Sequence, residues 1–243
     1  MGMRLDRALV ERGLITTRAR AQEAVRNGLV QVDGKVAAKP SVNVGAEAVI
    51  DVDADATAWV SRAAHKLRHG LDLFGWDVTG ATALDVGAST GGFTQVLLRA
   101  GAARVYAVDV GHDQLVAELA ADPRVVSLEG VNAKDLGDAL VPEPVDLIVS
   151  DVSFIGLEKA LPAALALAAS GARLMALIKP QFEVGPGRVG KGGIVRDAVL
   201  HDEVCERIRA WLESEGWQVT GIAPSPIEGS DGNREFLIGA EWA

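Results

Sequence analysis

Apolar residues recur with two different periods along this chain, and the change of period divides it. Leu5, Ala8, Leu9 and, less regularly, Leu14 fall at helical spacing, which predicts a short amphipathic helix over residues 4–13. Thr16 or Thr17 can cap a second helix over residues 18–27, which Gly28 stops. Residues 29–32 and 36–37 are β-rich and flank Asp33-Gly34, a two-residue hairpin signal. Residues 42–52 supply a further β-rich stretch, and the small acidic run 51–58 reads as a linker. The core of such a module is thin, close to the lower limit for independent folding.

Beyond Arg62 helical and strand patterns alternate. A helix is predicted over residues 63–73. Strands follow near 83–86, 105–108, 125–128, 145–150 and 174–179, then a long amphipathic helix over 197–215 and late strands at 217–223 and 236–240. Alternation of this kind predicts an α/β fold, a mostly parallel seven-stranded sheet with helices on both faces, whose ligands sit at the carboxyl ends of the strands. Two domains are expected, residues 1–58 including the linker and residues 59–243.

The apolar stretch 160–178 is interrupted by Pro162, Gly171 and Arg173. It reads as a buried helix followed by a buried strand, and no stable membrane association is expected. The first thirteen residues lack the long apolar core of a secretory signal, and the lone Cys205 fits a reducing compartment, so a cytoplasmic location is expected. His65, His69, His112 and His201 show no ligand spacing, so no metal is expected.

Charge is unevenly divided. Residues 1–70 hold 11 basic and 8 acidic side chains, whereas the remainder holds 13 and 25. The overall charge of −9 therefore conceals a basic N-terminal part. Arg4, Arg7, Arg18, Arg20, Arg26, Lys35 and Lys39 could form one phosphate-facing surface, or be ordinary solvated charges. Few aromatics accompany them, so base stacking is not this module's main mode.

The richest loop is Leu84-Asp-Val-Gly-Ala-Ser-Thr-Gly-Gly-Phe-Thr94. Asp85 precedes it, and Gly87, Ser89, Gly91, Gly92 and Phe93 lie at the strand end and the start of a helix, where backbone can approach a ligand. Asp109 ends the next strand, 22 residues after Gly87, where a carboxylate can accept two ribose hydroxyls. Ser89 replaces the middle glycine of a dinucleotide loop. That favours a cofactor without phosphate, S-adenosylmethionine, over a nicotinamide dinucleotide. Asn132 could reach the adenine edge of the same cofactor, or cap a helix. Asp151 and Lys179 each end a strand and so share the sheet rim; the alternatives for Lys179 are chemistry, snorkelling, or a salt bridge to Asp151. The glycine-rich segment 181–196 carries Arg188, Lys191 and Arg196 and reads as a mobile lid or a plain surface loop.

Two resemblances add to this reading. RLDRALVERGLITTRARAQEAVRNGLVQVDGKVAAKPS resembles the S4-like RNA-binding domain, which implies binding of structured RNA. Residues 59–243 resemble the FtsJ class of RNA ribose 2′-O-methyltransferases, with a Rossmann-like class I methyltransferase fold. With the N-terminal module and the further strings SRAAHKL, DVGASTGGFT, DVSFI, KPQFEVG, KGGIVRD and GNREFL, the whole chain is similar to the TlyA family, also called hemolysin A. The resemblance implies an ordered catalytic set at Lys66, Asp151, Lys179 and Glu235, S-adenosylmethionine as donor, and cytidine as acceptor, in small-subunit ribosomal RNA alone or in large-subunit ribosomal RNA as well. Free rRNA or ribosomal subunits are the implied partners. A membrane-active hemolysin and a non-catalytic RNA-binding assembly factor are the competing expectations.

Overall fold

The computed structural model describes residues 2–26, 28–54, 58–185, 187–229 and 231–242. The expected end of the second helix at Asn27 and linker residues 55–57 lie outside the described residues. The chain forms two compact units, residues 1–59 and 60–243.

In the first unit Met3–Arg4 forms β1, Leu5–Glu11 α1, Arg18–Arg26 α2, Val30–Val32 β2, Lys35–Val36 β3, Asn43–Val44 β4 and Ile50–Val52 β5. Helix α1 is shorter than its apolar spacing predicts, because Arg4 is extended and paired to Asn43 in a two-stranded β1–β4 sheet. The expected β-rich stretch 42–52 splits: β4 pairs with β1, while β5 joins β2 and β3 across the Asp33-Gly34 turn. Leu5, Ala8 and Leu9 pack with Ile15, Ala21, Val25, Val30 and Val44 as the core.

Asp6 is fully buried at the edge of that core. Arg4 grips it through Nε (3.1 Å) and Nη2 (2.9 Å), Arg18 donates from Nε (3.1 Å) and Gln22 from Nε2 (2.8 Å). These donors hold the Asp6 carboxyl well below the usual carboxylate range, Arg4 contributing most. Arg7 pairs with Glu11 at 3.4 Å and Arg20 reaches Thr16 Oγ1 at 3.5 Å, while Arg26 and Lys35 are exposed.

In the second unit α3 is Ala63–Phe74, β6 Thr82–Val86, α4 Gly92–Arg99, β7 Arg104–Asp109, α5 Ala117–Ala120, β8 Val125–Glu129, β9 Val145–Ser150, α6 Leu157–Ala160, α7 Pro162–Leu165, β10 Ala168–Ile178, α8 Pro180–Glu183, α9 Ala198–Ser214, β11 Trp217–Pro224 and β12 Phe236–Trp242. Seven strands form one sheet in the order β11-β12-β10-β9-β6-β7-β8. All neighbours run parallel except β12, which is antiparallel to both β10 and β11. The central strands are buried on both faces, which is why they read as continuous apolar runs.

Two local expectations are corrected. The stretch 160–178 is not one helix and a strand: α6 and α7 are single turns, broken at Pro162, and β10 then runs for eleven residues from Ala168. A register shift between Ala168 and Arg173 carries Gly171, at φ 75°, so the strand continues through a residue that looks like a stop. Helical cover beside β8 is also slight, a four-residue α5 and a 3-10 turn at Ala133–Asp135.

Strand order reverses between β6 and β9, whose first connections leave to opposite sides. The crevice at their carboxyl ends is where a ligand is expected in such a sheet.

Candidate active site

Helix α3 brings Lys66 to this crevice on its buried stripe, with Ala64, Leu67, Gly70 and Leu71. The helix lies close against β10 because Gly70 has no side chain: a Cβ there would stand 2.0 Å from Met175 Sδ. Asp151 follows β9, Lys179 follows β10, and Glu235 immediately precedes β12. Strand ends and one helix thus deliver four charges from distant parts of the sequence to one place.

Their geometry is a linked pair of ion pairs. Lys66 Nζ lies 2.6 Å from Glu235 Oε2 and 3.5 Å from Asp151 Oδ2. Lys179 Nζ forms an ion pair with Asp151 Oδ1 at 2.6 Å and donates hydrogen bonds to Asp151 O (3.2 Å) and Ser153 Oγ (2.9 Å). Lys66, Lys179 and Glu235 are nearly inaccessible to solvent. Two ammonium and two carboxylate groups balance formally, and burial at this depth is tolerable only because each charge has an opposite partner. Of the three sequence alternatives for Lys179, the salt bridge to Asp151 is present, and the same side chain lines a cavity.

That cavity, about 600 Å³, is lined by Lys66, Asp151, Lys179 and Glu235 together with Gly92 and Phe93 of the glycine-rich loop. A second cavity of about 500 Å³ is lined by Asp109, Gln114, Asn132 and the apolar Val110, Val131 and Ala133. Gly87, Ser89, Asp151, Ser153 and Phe154 line both, so the charged cluster, which sits in the first cavity, reaches the junction of the two through Asp151.

Each residue expected at the cofactor loop has a definite place. Ser89, at φ 47°, donates its N–H to Asp109 Oδ2 (2.8 Å), and Gly111 N–H donates to Oδ1 (2.8 Å). Each Asp109 oxygen retains acceptor capacity for a hydroxyl. Asn132 caps the 3-10 turn through Oδ1, accepting from Lys134 N–H at 3.2 Å, and it lines the second cavity as well. Gly91 packs against Leu115 and Leu119. Asp85 is fully buried beneath the loop and accepts from Thr94 Oγ1 at 2.7 Å; burial, opposed by that bond, pushes its carboxyl up to about 7. It acts on the loop from below and lines neither cavity.

Several residues at the site carry no obvious sequence signal. Ser153 and Phe154 simply follow Asp151. Phe154 sits at φ 66°, is 89% exposed and packs its ring 5.0 Å from that of Phe182. Asn233 is fully buried two residues before Glu235: its Nδ2 donates to Gly193 O (2.9 Å) and its Oδ1 accepts from Val195 N–H (2.9 Å). The Val195 carbonyl accepts from His201 Nε2 (2.9 Å), and Arg188 forms a two-pronged pair with Glu203. Segment 181–196, whose Pro186 lies outside the described residues, is thus tied down at Val195 and Arg188, with Lys191 exposed. Among the described residues no cluster of metal-ligating side chains occurs.

A profile described as FtsJ-like methyltransferase matches residues 59–242, and one described as S4 domain matches residues 3–50. The 16S/23S rRNA (cytidine-2′-O)-methyltransferase TlyA of Mycobacterium tuberculosis is 45% identical over 97% of this chain and 88% of its own length. Hemolysin A of Brachyspira hyodysenteriae is 40% identical over 97% and 98%. A solved Streptococcus thermophilus structure described as a hemolysin is 38% identical, covers 100% of this chain and 89% of that one, and superposes with a TM-score of 0.78. The buried four-charge cluster, the reversed sheet order and these matches agree, and the chain belongs to the TlyA family, which joins an S4 domain to an FtsJ-like methyltransferase domain.

Proposed function

We propose that this protein transfers a methyl group from S-adenosylmethionine to a ribose 2′-hydroxyl of ribosomal RNA, with cytidine as the target nucleoside. The convergence of Lys66, Asp151, Lys179 and Glu235 in the first cavity, with Asp151 at its junction with the second, carries this reading.

The second cavity suits the nucleoside half of S-adenosylmethionine. Val110, Val131 and Ala133 offer apolar walls for a ring, Asp109 acceptors for ribose hydroxyls, and Asn132 a polar edge. Gly87, Ser89, Gly91, Gly92 and Phe93 form the loop beside it, which Asp85 supports from beneath. When bound, the cofactor supplies a sulfonium-activated methyl group. The chain's own task is to make a ribose hydroxyl nucleophilic and hold it still.

Lys179 Nζ donates to two oxygens, Asp151 O and Ser153 Oγ, and lies in ion-pair contact with the Asp151 carboxylate. A charged Lys179 beside the 2′-oxygen stabilises the negative charge that builds up there as the oxygen takes the methyl group from sulfur and the hydroxyl proton passes to solvent water. Asp151 holds both lysines, one on each carboxylate oxygen, and Glu235 fixes Lys66. The exposed Phe154 ring at the mouth of both cavities is suited to stacking on an unstacked base.

Residues 1–58 serve as the RNA-binding domain and residues 59–243 as the catalytic one. Arg7, Arg20, Arg26 and Lys35 grip phosphates, with Lys191 on the catalytic domain assisting; Arg4 and Arg18 are held by Asp6 and contribute through their remaining N–H groups, and Arg188 joins only by releasing Glu203. Such a reaction belongs with ribosome assembly in the cytoplasm, on free rRNA or subunits. No described helix is long and apolar enough to cross a membrane, and nothing in the site favours a lytic activity.

The test is transfer of tritium from labelled S-adenosylmethionine to purified ribosomal subunits and to free rRNA, with mapping of alkali-resistant 2′-O-methylated positions. Lys179→Ala is expected to abolish transfer while leaving cofactor binding in place. Absence of transfer to any rRNA, or full activity in Lys179→Ala, would overturn the assignment.

A further inference from the structure

A carboxylate remote from the four charges organises one wall of the second cavity. Glu129, the last residue of β8, receives three consecutive backbone N–H groups. Gln114 N–H donates to Oε1 at 2.7 Å, Leu115 N–H to Oε1 at 2.9 Å and Asp113 N–H to Oε2 at 3.2 Å. All three belong to the connection between β7 and α5. Asp113 stands at φ 54°, the left-handed conformation that Asp adopts more readily than most side-chain-bearing residues, and the three bonds to Glu129 fix the turn around it. His112 lies over the residue after Glu129: a Cβ at Gly130 would stand 2.5 Å from His112 Nε2. The two connections are further joined by Gly130 N–H donating to Gly111 O at 2.8 Å.

The hold matters because of what the turn carries. Gln114 lines the second cavity, and its Oε1 accepts from Ser89 Oγ at 3.2 Å. Ser89 in turn donates its N–H to Asp109. Contacts therefore run from Glu129 through the turn to Gln114, Ser89 and the carboxylate assigned to the ribose, without entering the charged cluster. The same three donors hold the Glu129 carboxyl below its usual range, Leu115 contributing most. At neutral pH it is thus acceptor-only, as three converging N–H groups require.

We infer that Glu129 is a positioning residue for cofactor binding: it fixes the turn that sets Gln114 and Ser89 around the nucleoside half of S-adenosylmethionine. This rests on assigning the second cavity to that cofactor. Glutamine in its place offers one acceptor oxygen and turns an NH₂ group toward N–H donors.

The experiment compares wild type, Glu129→Gln and Glu129→Asp. Dissociation constants for S-adenosylmethionine and S-adenosylhomocysteine are measured by calorimetry, turnover at saturating cofactor by methyl transfer to rRNA, and protection of the 113–115 amides by hydrogen exchange on cofactor-free protein. Glu129→Gln is expected to weaken both cofactors about tenfold, the scale of one lost charge-assisted hydrogen bond. Saturated turnover and the KM for rRNA are expected to stay within about twofold, far from the tenfold step of a 1.4 kcal/mol loss. Glu129→Asp, which keeps the charge, recovers part of the affinity and carries the test should Glu129→Gln fail to fold. Unchanged cofactor affinity, or a fall confined to turnover, overturns the inference. The exchange measurement separates it from the function itself. Should wild type bind no S-adenosylmethionine, the proposed function fails, whereas lost protection at 113–115 still supports Glu129's hold on the turn and retained protection rejects it.

Discussion

Lys66 Nζ and Glu235 Oε2, 169 positions apart in the chain, lie 2.6 Å apart in a place closed to solvent. Removing Lys66 strands the buried Glu235 and removing Glu235 leaves Lys66 with only the longer contact to Asp151, whereas removing both leaves the Lys179–Asp151 pair balanced. Lys66→Met and Glu235→Leu should each destabilise the protein by about 3–5 kcal/mol, and the double variant should regain most of that loss. Methyl transfer should stay at least about a hundredfold down in all three if these groups also serve the reaction. Denaturant unfolding and tritium transfer on the same samples check both halves. A stable, fully active double variant would reduce the pair to a structural role.

Gly70 sets the depth of α3 against the sheet. Its replacement by Ala drives a methyl group into the end of the fully buried Met175 side chain; overpacking of this kind costs about 1–3 kcal/mol, offset by the roughly 1 kcal/mol that Ala gains over Gly inside a helix. Lys66 lies one turn away on the same helix, so Gly70→Ala should also slow methyl transfer. Met175→Val in the Gly70→Ala background makes room and should restore both. Thermal melting and initial rates measure the pair of effects; an unchanged rate would show that the position of α3 does not matter to Lys66.

Asp85 makes stability depend on pH in a particular sense. Its carboxyl titrates near 3.8 when unfolded but is pushed up to about 7 when folded. Between those values the unfolded chain has lost the proton and the folded chain has kept it, so this group's contribution falls as pH rises and levels off above about 7. Asp85→Asn keeps the shape without the charge. Its stability relative to wild type should therefore rise from pH 5 to pH 8, by on the order of 2–4 kcal/mol. Urea unfolding across that range reads it directly, and parallel curves for the two proteins would refute the buried-acid account.

Phe154 combines exposure with a backbone conformation costly for a side-chain-bearing residue. Phe154→Gly should stabilise the fold by about 1 kcal/mol through relief of that strain. If the ring stacks on a base, the same variant should raise the KM for rRNA about tenfold, since stacking contributes roughly 1–3 kcal/mol. Melting temperature and KM should thus move in opposite functional directions, and an unaltered KM would remove the ring from substrate binding.

Much of the architecture was legible from period and punctuation. Alternating strand and helix segments after Arg62, the Asp33-Gly34 turn and the apolar runs of the sheet determine an α/β domain behind a small basic α+β module. These are local signals, read within a few residues. Asp151 and Lys179 were legible too, because a charge at the end of an apolar run lands on the rim of a parallel sheet. Lys66 and Glu235 carry no such local signal, and only family resemblance singles them out. Tertiary structure alone decided their burial, since the distance between them depends on how α3 and β12 pack. The same holds for Gly70, Asn233 and Glu129, whose partners lie in other loops or strands and leave no periodic trace. Sequence period records which face of an element is buried. What that face meets is fixed by packing between elements far apart in the chain, and that is where the charges of this site find one another.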